Sequence, residues 1–332
     1  MKAIKLVLAV LIITSCNSNT SYKTNQLNLN KKVSTIKIDE SRILRNIKIL
    51  ASDSLEGRGF TKPGNLKAQA LIASEFKRLE LEMVLDSGYI QNFNHTYKGK
   101  RRQRMFPVTG KGKNDTTVPD TTIVGGNVIG MIQGKTNKVI VITGHHDHLG
   151  IRKGKIYNGA DDDASGTAAV IAIADYFKDK TPKHTLVFAT VDAEESGMLG
   201  SAHLVKNFPL GKENIVLNIN MDMIAHNDKN ELYACGLYHY PKLKEPLTKV
   251  NSTINLLSGH DNPTSKTQDN WTNSSDHRSF HNEKIPFIYF GVEDHKDYHK
   301  DTDTFENINQ EFYIKAVKLI IQAVENYDTS LE

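Results

Sequence analysis

The sequence contains very little cysteine, and this limits how the fold can be held together. Cys16 and Cys235 are the two cysteines in 332 residues. Cys16 follows an N-terminal apolar stretch, where we expect it to be modified, so Cys235 is left as a lone thiol and an intrachain disulfide is excluded. A chain without disulfides depends for stability on its hydrophobic core or on bound metal. We expect Cys235 itself to be an inert buried thiol.

Features of multidomain or repetitive proteins are also missing. No internal repeat is present, and no linker rich in proline or glycine follows the polar N-terminal tract. With 39% hydrophobic and 24% charged residues, the composition is that of a globular chain long enough for a large core.

An excess of one charge is equally absent, since the formal net charge is only +4. The one basic segment, "KGKRRQR" at residues 98–104, has no interleaved aromatic residues and matches no nucleic-acid-binding motif. We therefore interpret it as a solvated loop or hairpin tip and predict no nucleic-acid partner. Contact with anionic lipid headgroups is the weaker alternative.

The N-terminus, "MKAIKLVLAVLIITSC", has the pattern of an export signal. Two lysines precede an apolar stretch at residues 6–13 that is too short to cross a bilayer, and Cys16 ends it as in a bacterial lipobox. We predict a lipoprotein signal peptide at 1–15, whose removal lowers the formal charge from +4 to +2, and a lipid on Cys16. That lipid would anchor the exported protein to a bacterial membrane, on its periplasmic or cell-surface face. The alternative is an ordinary cleaved signal with an incidental cysteine.

Beyond the signal, the sequence predicts a flexible tether at 16–38 and a single domain at 39–332, with residues 95–122 as an excursion from its surface. Short β-branched runs alternate with amphipathic segments along this domain. We predict strands at 138–144, 185–191, 213–221 and 284–290, and helices at 65–81, 163–177 and 311–327. This alternation is typical of an α/β fold, a three-layer α/β/α arrangement around a mostly parallel, mixed sheet.

Polar clusters follow the predicted strands, where ligands of such sheets gather. The clusters are "GHHDHLG", "NGADDDASG", "DAEESG" and "MDM", with "DYHKDTDT" near the C-terminus. Each cluster alone is weak evidence for a metal site, because a lone histidine is usually hydrogen-bonded and an aspartate run often caps a helix. Their recurrence at four strand or loop ends favours zinc or a similar divalent ion, with donors enough for two ions.

Together these motifs resemble those of the M28 zinc peptidases, which include co-catalytic dizinc aminopeptidases. The likeness extends over most of the chain beyond residue 40, and includes "LASDSLEGRGF" and "NVIGMIQG". "NWTNSSDHRSF" and "FGVEDHKDYHKDTDTFENI" are similar to segments of exported bacterial members.

The resemblance implies two Zn²⁺ ions and five metal ligands: His145, Asp162, Glu195, Asp222 and His299. Asp162 would bridge the ions, and the peptide bond after it would be cis. Glu195 and His299 would complete one shell, and His145 and Asp222 the other. Asp147 would accept the second imidazole N–H of His145 and so fix its tautomer.

The resemblance also implies a reaction. Glu194 would act as general base toward a water activated by two zinc ions, and Tyr298 would donate to the oxyanion unless it is only a packing residue. The leading hypothesis is an aminopeptidase that removes N-terminal residues from peptide substrates. The alternatives are a carboxypeptidase, a dipeptidase, a glutaminyl cyclase or a non-catalytic binding lipoprotein.

Other polar residues near these motifs are not expected to bind metal. Alternation along the chain predicts that His146 and His148 point away from the metals. Asp161 and Asp163 are expected to cap the helix or to accept backbone N–H groups. The segment 274–280, with an unassigned aspartate and histidine, is expected to line the substrate pocket, and Trp271 either packs at the pocket mouth or belongs to the core.

Overall fold

The computed structural model describes residues 25–27, 34–98 and 119–332. The predicted signal peptide, Cys16 and most of the basic segment lie outside these residues. The helices are α1 (Glu40–Leu50), α2 (Pro63–Arg78), α3 (Gly166–Phe177), α4 (Leu199–Lys206), α5 (Lys244–Thr248), α6 (His277–Asn282) and α7 (Gln310–Ser330). The strands are β1 (Asn25–Gln26), β2 (Ile90–Tyr97), β3 (Thr121–Ile132), β4 (Thr136–His145), β5 (Gly150–Arg152), β6 (Lys155–Tyr157), β7 (His184–Val191), β8 (Ile215–Met221), β9 (Glu231–Cys235), β10 (Asn255–Ser258) and β11 (Phe287–Gly291).

Within the described part of the chain, nine strands form one mixed sheet in the order β1-β10-β9-β11-β8-β4-β7-β3-β2. Its centre, β11-β8-β4-β7, is parallel, and β9 and β10 are parallel to each other. The pairs β9–β11 and β7–β3 and both edge pairs are antiparallel. The predicted α/β fold with a mixed sheet is therefore confirmed.

The central strands are buried on both faces, which explains their nearly continuous apolar sequences. Along β4, Ile140 and Ile142 belong to the core on the side of α1, α2, α3 and α7. Val139 and Val141 belong to the opposite core, which contains residues of α4 and α6. The alternation places helices on both faces of the sheet, as a three-layer arrangement requires.

Most predicted elements occur close to their expected positions. Helix 65–81 is α2. The helix predicted from 163 begins at Gly166, because residues 160–165 form a π-type turn with non-helical backbone angles at Asp162 and Asp163. The strand at 213–221 begins at Ile215. The ends of the predicted excursion, 95–97 and 121–122, belong to the antiparallel pair β2–β3, and residues 99–118 lie outside the described part.

The predicted tether differs from the structure in its described portion. Asn25 and Gln26 pair with β10, and Leu27 is buried. Ile36 is also buried against the core. This part of the tether therefore packs on the domain. None of the helices in the described ranges is both long and apolar enough to span a membrane.

Candidate active site

The predicted ligands meet at the carboxyl ends of the parallel strands. His145 is the last residue of β4, and Asp222 directly follows β8. Glu195 stands four residues after the end of β7, and Asp162 lies in the turn before α3. His299 comes from the loop after β11. Because neighbouring parallel strands end at one edge of the sheet, residues distant in sequence converge there.

Two donor groups form around Asp162. His145 Nε2 lies 3.3 Å from Asp162 Oδ1 and 3.5 Å from Asp222 Oδ1. On the other side, His299 Nε2 lies 3.1 Å from Asp162 Oδ2 and 3.3 Å from Glu195 Oε1. Asp162 thus presents one oxygen to each group, which is the arrangement that a bridging carboxylate needs. The five predicted ligands are brought together.

His148 also enters the second group, contrary to the expectation from the sequence. Its Nδ1 lies 3.0 Å from Glu195 Oε1 and 3.7 Å from Asp162 Oδ2. Strand β4 ends at His145, so alternation does not continue to residue 148. Instead, the His148 backbone forms an isolated bridge with Gly59, and its N–H donates to the Arg58 carbonyl. His146 does face away, with its ring 3.7 Å from Asp192.

The donor atoms fit a pair of divalent cations. Four buried atoms in these groups have no hydrogen-bond partner: His145 Nε2, His148 Nδ1, Glu195 Oε1 and Asp222 Oδ1. Leaving buried polar atoms unpaired is costly, and a cation would satisfy all four. Imidazole nitrogens mixed with carboxylate oxygens are donors suited to zinc.

A third set of donors, His226, His295 and Asp297, is less suitable for an ion. The His295 ring donates from Nε2 to Asp161 and accepts the Asp297 backbone N–H at Nδ1. Its ring also stacks on His226 at 3.9 Å between centroids. Both nitrogens of His295 are therefore engaged, and stacked rings do not direct their lone pairs at one point.

Glu194 and Glu195 experience different electrostatic surroundings. Burial raises the pKa of Glu194 well above its ordinary value, and the nearby Asp276 and Asp222 raise it further, while His145 opposes them. For Glu195, burial and Asp162 act in the same upward direction, but the imidazoles of His148 and His299 outweigh them and lower its pKa to about 2. Glu195 is thus held as an anion, whereas Glu194 has a raised affinity for a proton.

Asp147 lies beside both His145 and Glu194, although its contacts differ from those expected. Its Oδ1 is 3.7 Å from His145 Nδ1, beyond hydrogen-bond distance. The ring nitrogen instead lies 3.1 Å from the Asp147 backbone carbonyl. The Asp147 carboxylate accepts the backbone N–H of Glu194 at 2.9 Å. Asp147 therefore connects the loop after β4 to the loop that carries both glutamates.

The aspartates on either side of Asp162 bond backbone N–H groups, as expected. Asp161 accepts the N–H of Ala225 at 2.6 Å. Asp163 accepts the N–H groups of His145 and Gly166. The Asp162–Asp163 peptide bond is cis, as the resemblance implied.

Arg58 supports the same loops and was not identified from the sequence. Its side chain is fully buried. Nε donates to the carbonyl of His146 at 2.8 Å, and Nη2 donates to that of Gly159 at 2.8 Å. Nη1 donates to the carbonyls of Leu50 and Asn158, both at 2.6 Å. One guanidinium thus joins the segments next to His145 and before Asp162.

A pocket of about 450 Å³ opens over the two donor groups. Its lining includes Trp271, Tyr289 and Tyr298 beside the acidic residues. Trp271 therefore lies at the pocket, where it stacks on His260 at 3.6 Å between centroids. Tyr298 is half-buried and stacks on His299.

The expectation for segment 274–280 is only partly met. Ser274 lines the pocket, but Asp276 and His277 do not. Both are fully buried behind it. His277 stacks on Tyr289 and lies 2.8 Å from the Trp271 carbonyl, so it supports the aromatic wall from the rear. Burial raises the pKa of Asp276 to about 7.

Comparison with known families decides the classification. Peptidase family M28 matches residues 127–324, more than half of the chain and a span that contains all five predicted ligands. The chain belongs to peptidase family M28.

Curated relatives of this M28 peptidase include Leucine aminopeptidase 1 of Aspergillus fumigatus, 29% identical over 134 residues that cover 37% of this chain and 34% of the relative. Aminopeptidase YwaD of Bacillus subtilis is 28% identical over 216 residues, which cover 60% of this chain and 44% of the relative. The M28 chain thus matches less than half the length of these relatives.

Solved structures resemble the M28 chain over nearly its whole length. An aminopeptidase from Aneurinibacillus sp. strain AM-1 has a TM-score of 0.64 at 17% identity, covering 87% of this chain and 93% of that one. A glutaminyl cyclase from Porphyromonas gingivalis has the same TM-score at 13% identity, covering 86% and 98%. Likeness at these identities shows the fold. The family and fold predicted from the motifs are therefore confirmed.

Proposed function

We propose that this M28 peptidase is a zinc-dependent aminopeptidase that holds two ions and removes N-terminal residues from peptides. The observation that carries the proposal is the pair of donor groups sharing Asp162 beneath an open acidic pocket, with Glu194 beside them. His145 and Asp222 would hold one ion, and Glu195 and His299 the other.

The side chains at the pocket floor support the chemistry of peptide hydrolysis. Bound divalent ions supply Lewis acidity, which lowers the pKa of water and polarises a carbonyl. Glu194 takes the proton released by the attacking water and delivers it to the leaving amine. Its raised pKa suits this role, because a carboxylate with increased proton affinity is a better base. Tyr298 faces the pocket, and its hydroxyl donates a hydrogen bond to the developing oxyanion.

The charges around the pocket favour a substrate with a free α-amino group. Besides the carboxylates whose charge the two ions would neutralise, Asp269 and Asp294 line the pocket. The described lining contains no lysine or arginine that could pair with a substrate α-carboxylate. An ammonium group gains from this field, whereas a carboxylate is repelled. The lining therefore supports an aminopeptidase over a carboxypeptidase.

The test compares aminoacyl reporter substrates with their acetyl-blocked forms, alongside metal analysis of the purified chain. We expect release from the free forms only, and about two zinc ions per chain. Equal cleavage of both forms would contradict the aminopeptidase assignment. Cyclisation of N-terminal glutamine without hydrolysis would instead identify a glutaminyl cyclase.

We further propose that a lipid on Cys16 anchors the exported chain to a bacterial membrane. The proposal is supported by the two lysines, the short apolar stretch and the lipobox-like ending of residues 1–16. Substitution Cys16→Ser should move the protein from the membrane fraction to the soluble fraction in the expressing bacterium. Unchanged fractionation would count against acylation.

A further inference from the structure

We propose that His148 is a fourth protein ligand to the ion held by Asp162, Glu195 and His299, so that the two ion sites are unequal. The inference rests on the proposed function, because it concerns the metal centre of that site.

The first argument is the position of the imidazole. The side chain of His148 is completely buried, and its Nδ1 lies 3.0 Å from Glu195 Oε1 and 3.7 Å from Asp162 Oδ2. His299 approaches the same two oxygens at 3.3 and 3.1 Å. Donor atoms that share one tetrahedral zinc ion lie about 3.3 Å apart, because each lies about 2 Å from the metal. Both histidines therefore stand at distances typical of ligands of one ion.

The second argument is that His148 approaches the carboxylates without the geometry of a hydrogen bond, as expected if both groups bind the same ion. His184 and His295 each lie 3.1 Å from a carboxylate oxygen, and both pairs have hydrogen-bond geometry. His148 lies closer to Glu195, yet neither of its ring nitrogens makes a hydrogen bond. The carboxylate oxygen thus lies away from the direction of the ring N–H. His145 Nε2 shows the same behaviour toward Asp162 and Asp222.

The local field agrees with a cation at this position. The carboxylates of Asp162 and Glu195 both lie within 4 Å of the buried His148 ring, so negative charge is concentrated around its Nδ1. Positive charge is therefore favoured between these groups, and a divalent ion supplies it.

The consequence is a difference between the two ions. Four protein donors around one ion form a closed shell, typical of tightly held zinc, whereas His145, Asp162 and Asp222 leave a position open at the other. The first equivalent of zinc added to metal-free protein should fill the four-donor site, and the second should fill the three-donor site.

The decisive measurement counts imidazoles at the four-donor site alone. In full-length Asp222→Ala protein, loaded with one equivalent of Zn²⁺, X-ray absorption at the zinc edge should detect two histidine ligands. One histidine would overturn the proposal. This chain keeps His148, so the result does not depend on how a His148 variant folds.

Variants of His148 in the otherwise native chain provide a second measurement. We expect His148→Ala and His148→Asn to weaken binding of one of two Zn²⁺ ions at least tenfold in equilibrium dialysis. Asparagine retains an N–H donor near the position of Nδ1, so recovered affinity in His148→Asn would assign His148 to hydrogen bonding and overturn the proposal. His184→Gln is the matched control, because it removes a buried histidine paired with a carboxylate outside the site, and it should bind two ions normally.

The outcomes also distinguish this inference from the proposed function. If the native chain binds no divalent ion, the proposed function fails as well. If the native chain and both His148 variants bind two Zn²⁺ ions with equal affinity, this inference alone fails.

Discussion

Glu194 and Glu195 are adjacent in the chain, yet their carboxyl groups meet different neighbours. Glu195 faces the imidazoles of His148 and His299. Glu194 lies among carboxyl groups at the pocket, and its backbone N–H is held by Asp147. Residue 193 has a positive φ of 60°, so the chain turns sharply between β7 and the pair. The turn is compatible with the proposed roles, in which Glu195 binds metal and Glu194 carries a proton.

Glu194→Gln tests this division. Glutamine has nearly the same shape but cannot accept a proton, so turnover should fall by about 10²–10⁴-fold, the usual contribution of a general base. Bound zinc should remain near two ions per chain, because Glu194 belongs to neither donor group. Steady-state kinetics and metal analysis of the same samples provide the check. In contrast, Glu195→Gln should lose metal, and loss of metal from Glu194→Gln would contradict the assigned roles.

Arg58→Met tests whether the buried guanidinium stabilises the fold. Methionine fills much of the same space but leaves four backbone carbonyls without their donor. The free energy of unfolding should fall by about 3 kcal/mol or more, because each unsatisfied buried acceptor costs about 1–3 kcal/mol. Arg58→Lys should also destabilise the protein, since one ammonium group cannot reproduce the planar set of N–H donors of the guanidinium. Urea unfolding of metal-free protein measures both. The control is Arg42→Lys on an exposed ion pair with Asp39, which should change stability by less than about 1 kcal/mol. A native midpoint in Arg58→Met would contradict this role.

Residue identities predicted which five side chains converge at the site, but not the contacts around them. The five predicted ligands lie within short motifs, whose residue types can be recognised from the local sequence alone. His148 was assigned wrongly because its direction depends on the bridge to Gly59, which lies far away in the sequence. Arg58 was missed for the same reason, since its partners at residues 146 and 158–159 come from other segments.

At the scale of elements, the parallel core was predictable and the sheet edges were not. β4 and β7 are buried on both faces, so each appears in the sequence as a nearly continuous run of apolar residues that can be recognised as a strand. β2 alternates between more and less buried residues, the first four residues of β3 are intermediate or exposed, and β1 and β10 are short. Such strands are defined by the partner to which they bond rather than by their composition.

The C-terminal helix α7 is docked to the sheet by Asp328. Its carboxylate accepts the backbone N–H groups of Lys183 and His184 at 2.8 and 2.7 Å, at the start of β7. Burial raises the pKa of Asp328, but these bonds and the His184 ring outweigh burial and hold the pKa below its ordinary value of 3.8. Because the folded pKa is lowered, this contribution to stability is present above the unfolded value and is lost as pH falls through the folded value.

Asp328→Ala should therefore destabilise the metal-free chain at pH 7 by about 1.5–3 kcal/mol, the usual value for hydrogen bonds to a charged group. The difference from the native protein should shrink once the pH falls below about 4. Urea midpoints at several pH values, all in the presence of a chelator, measure this. Glu311→Ala, which removes an exposed carboxylate on the same helix, is the control and should change little. A difference that does not vary with pH would show that the charge of Asp328 is not involved.

At the scale of the whole molecule, the site concentrates acidic groups in the interior. Asp162, Glu195 and Asp222 lie within one region, with Glu194 and Asp276 close by. Burial and mutual repulsion of such groups oppose folding unless cations balance them. The described residues include a single buried free cysteine and no disulfide to compensate. Metal binding should therefore contribute to the stability of the entire fold.

Removing metal with a chelator should lower the thermal unfolding midpoint, and returning Zn²⁺ should restore it. Ligand that binds only the folded state stabilises it by about 4 kcal/mol when present at 1,000 times its dissociation constant. Differential scanning calorimetry with chelator, and then with increasing Zn²⁺, measures the effect. Asp162→Asn should respond least among the ligand variants, because Asp162 faces both donor groups. A native midpoint that is the same with chelator and with zinc would mean that the buried carboxyl groups are tolerated without ions, and that metal serves the reaction alone.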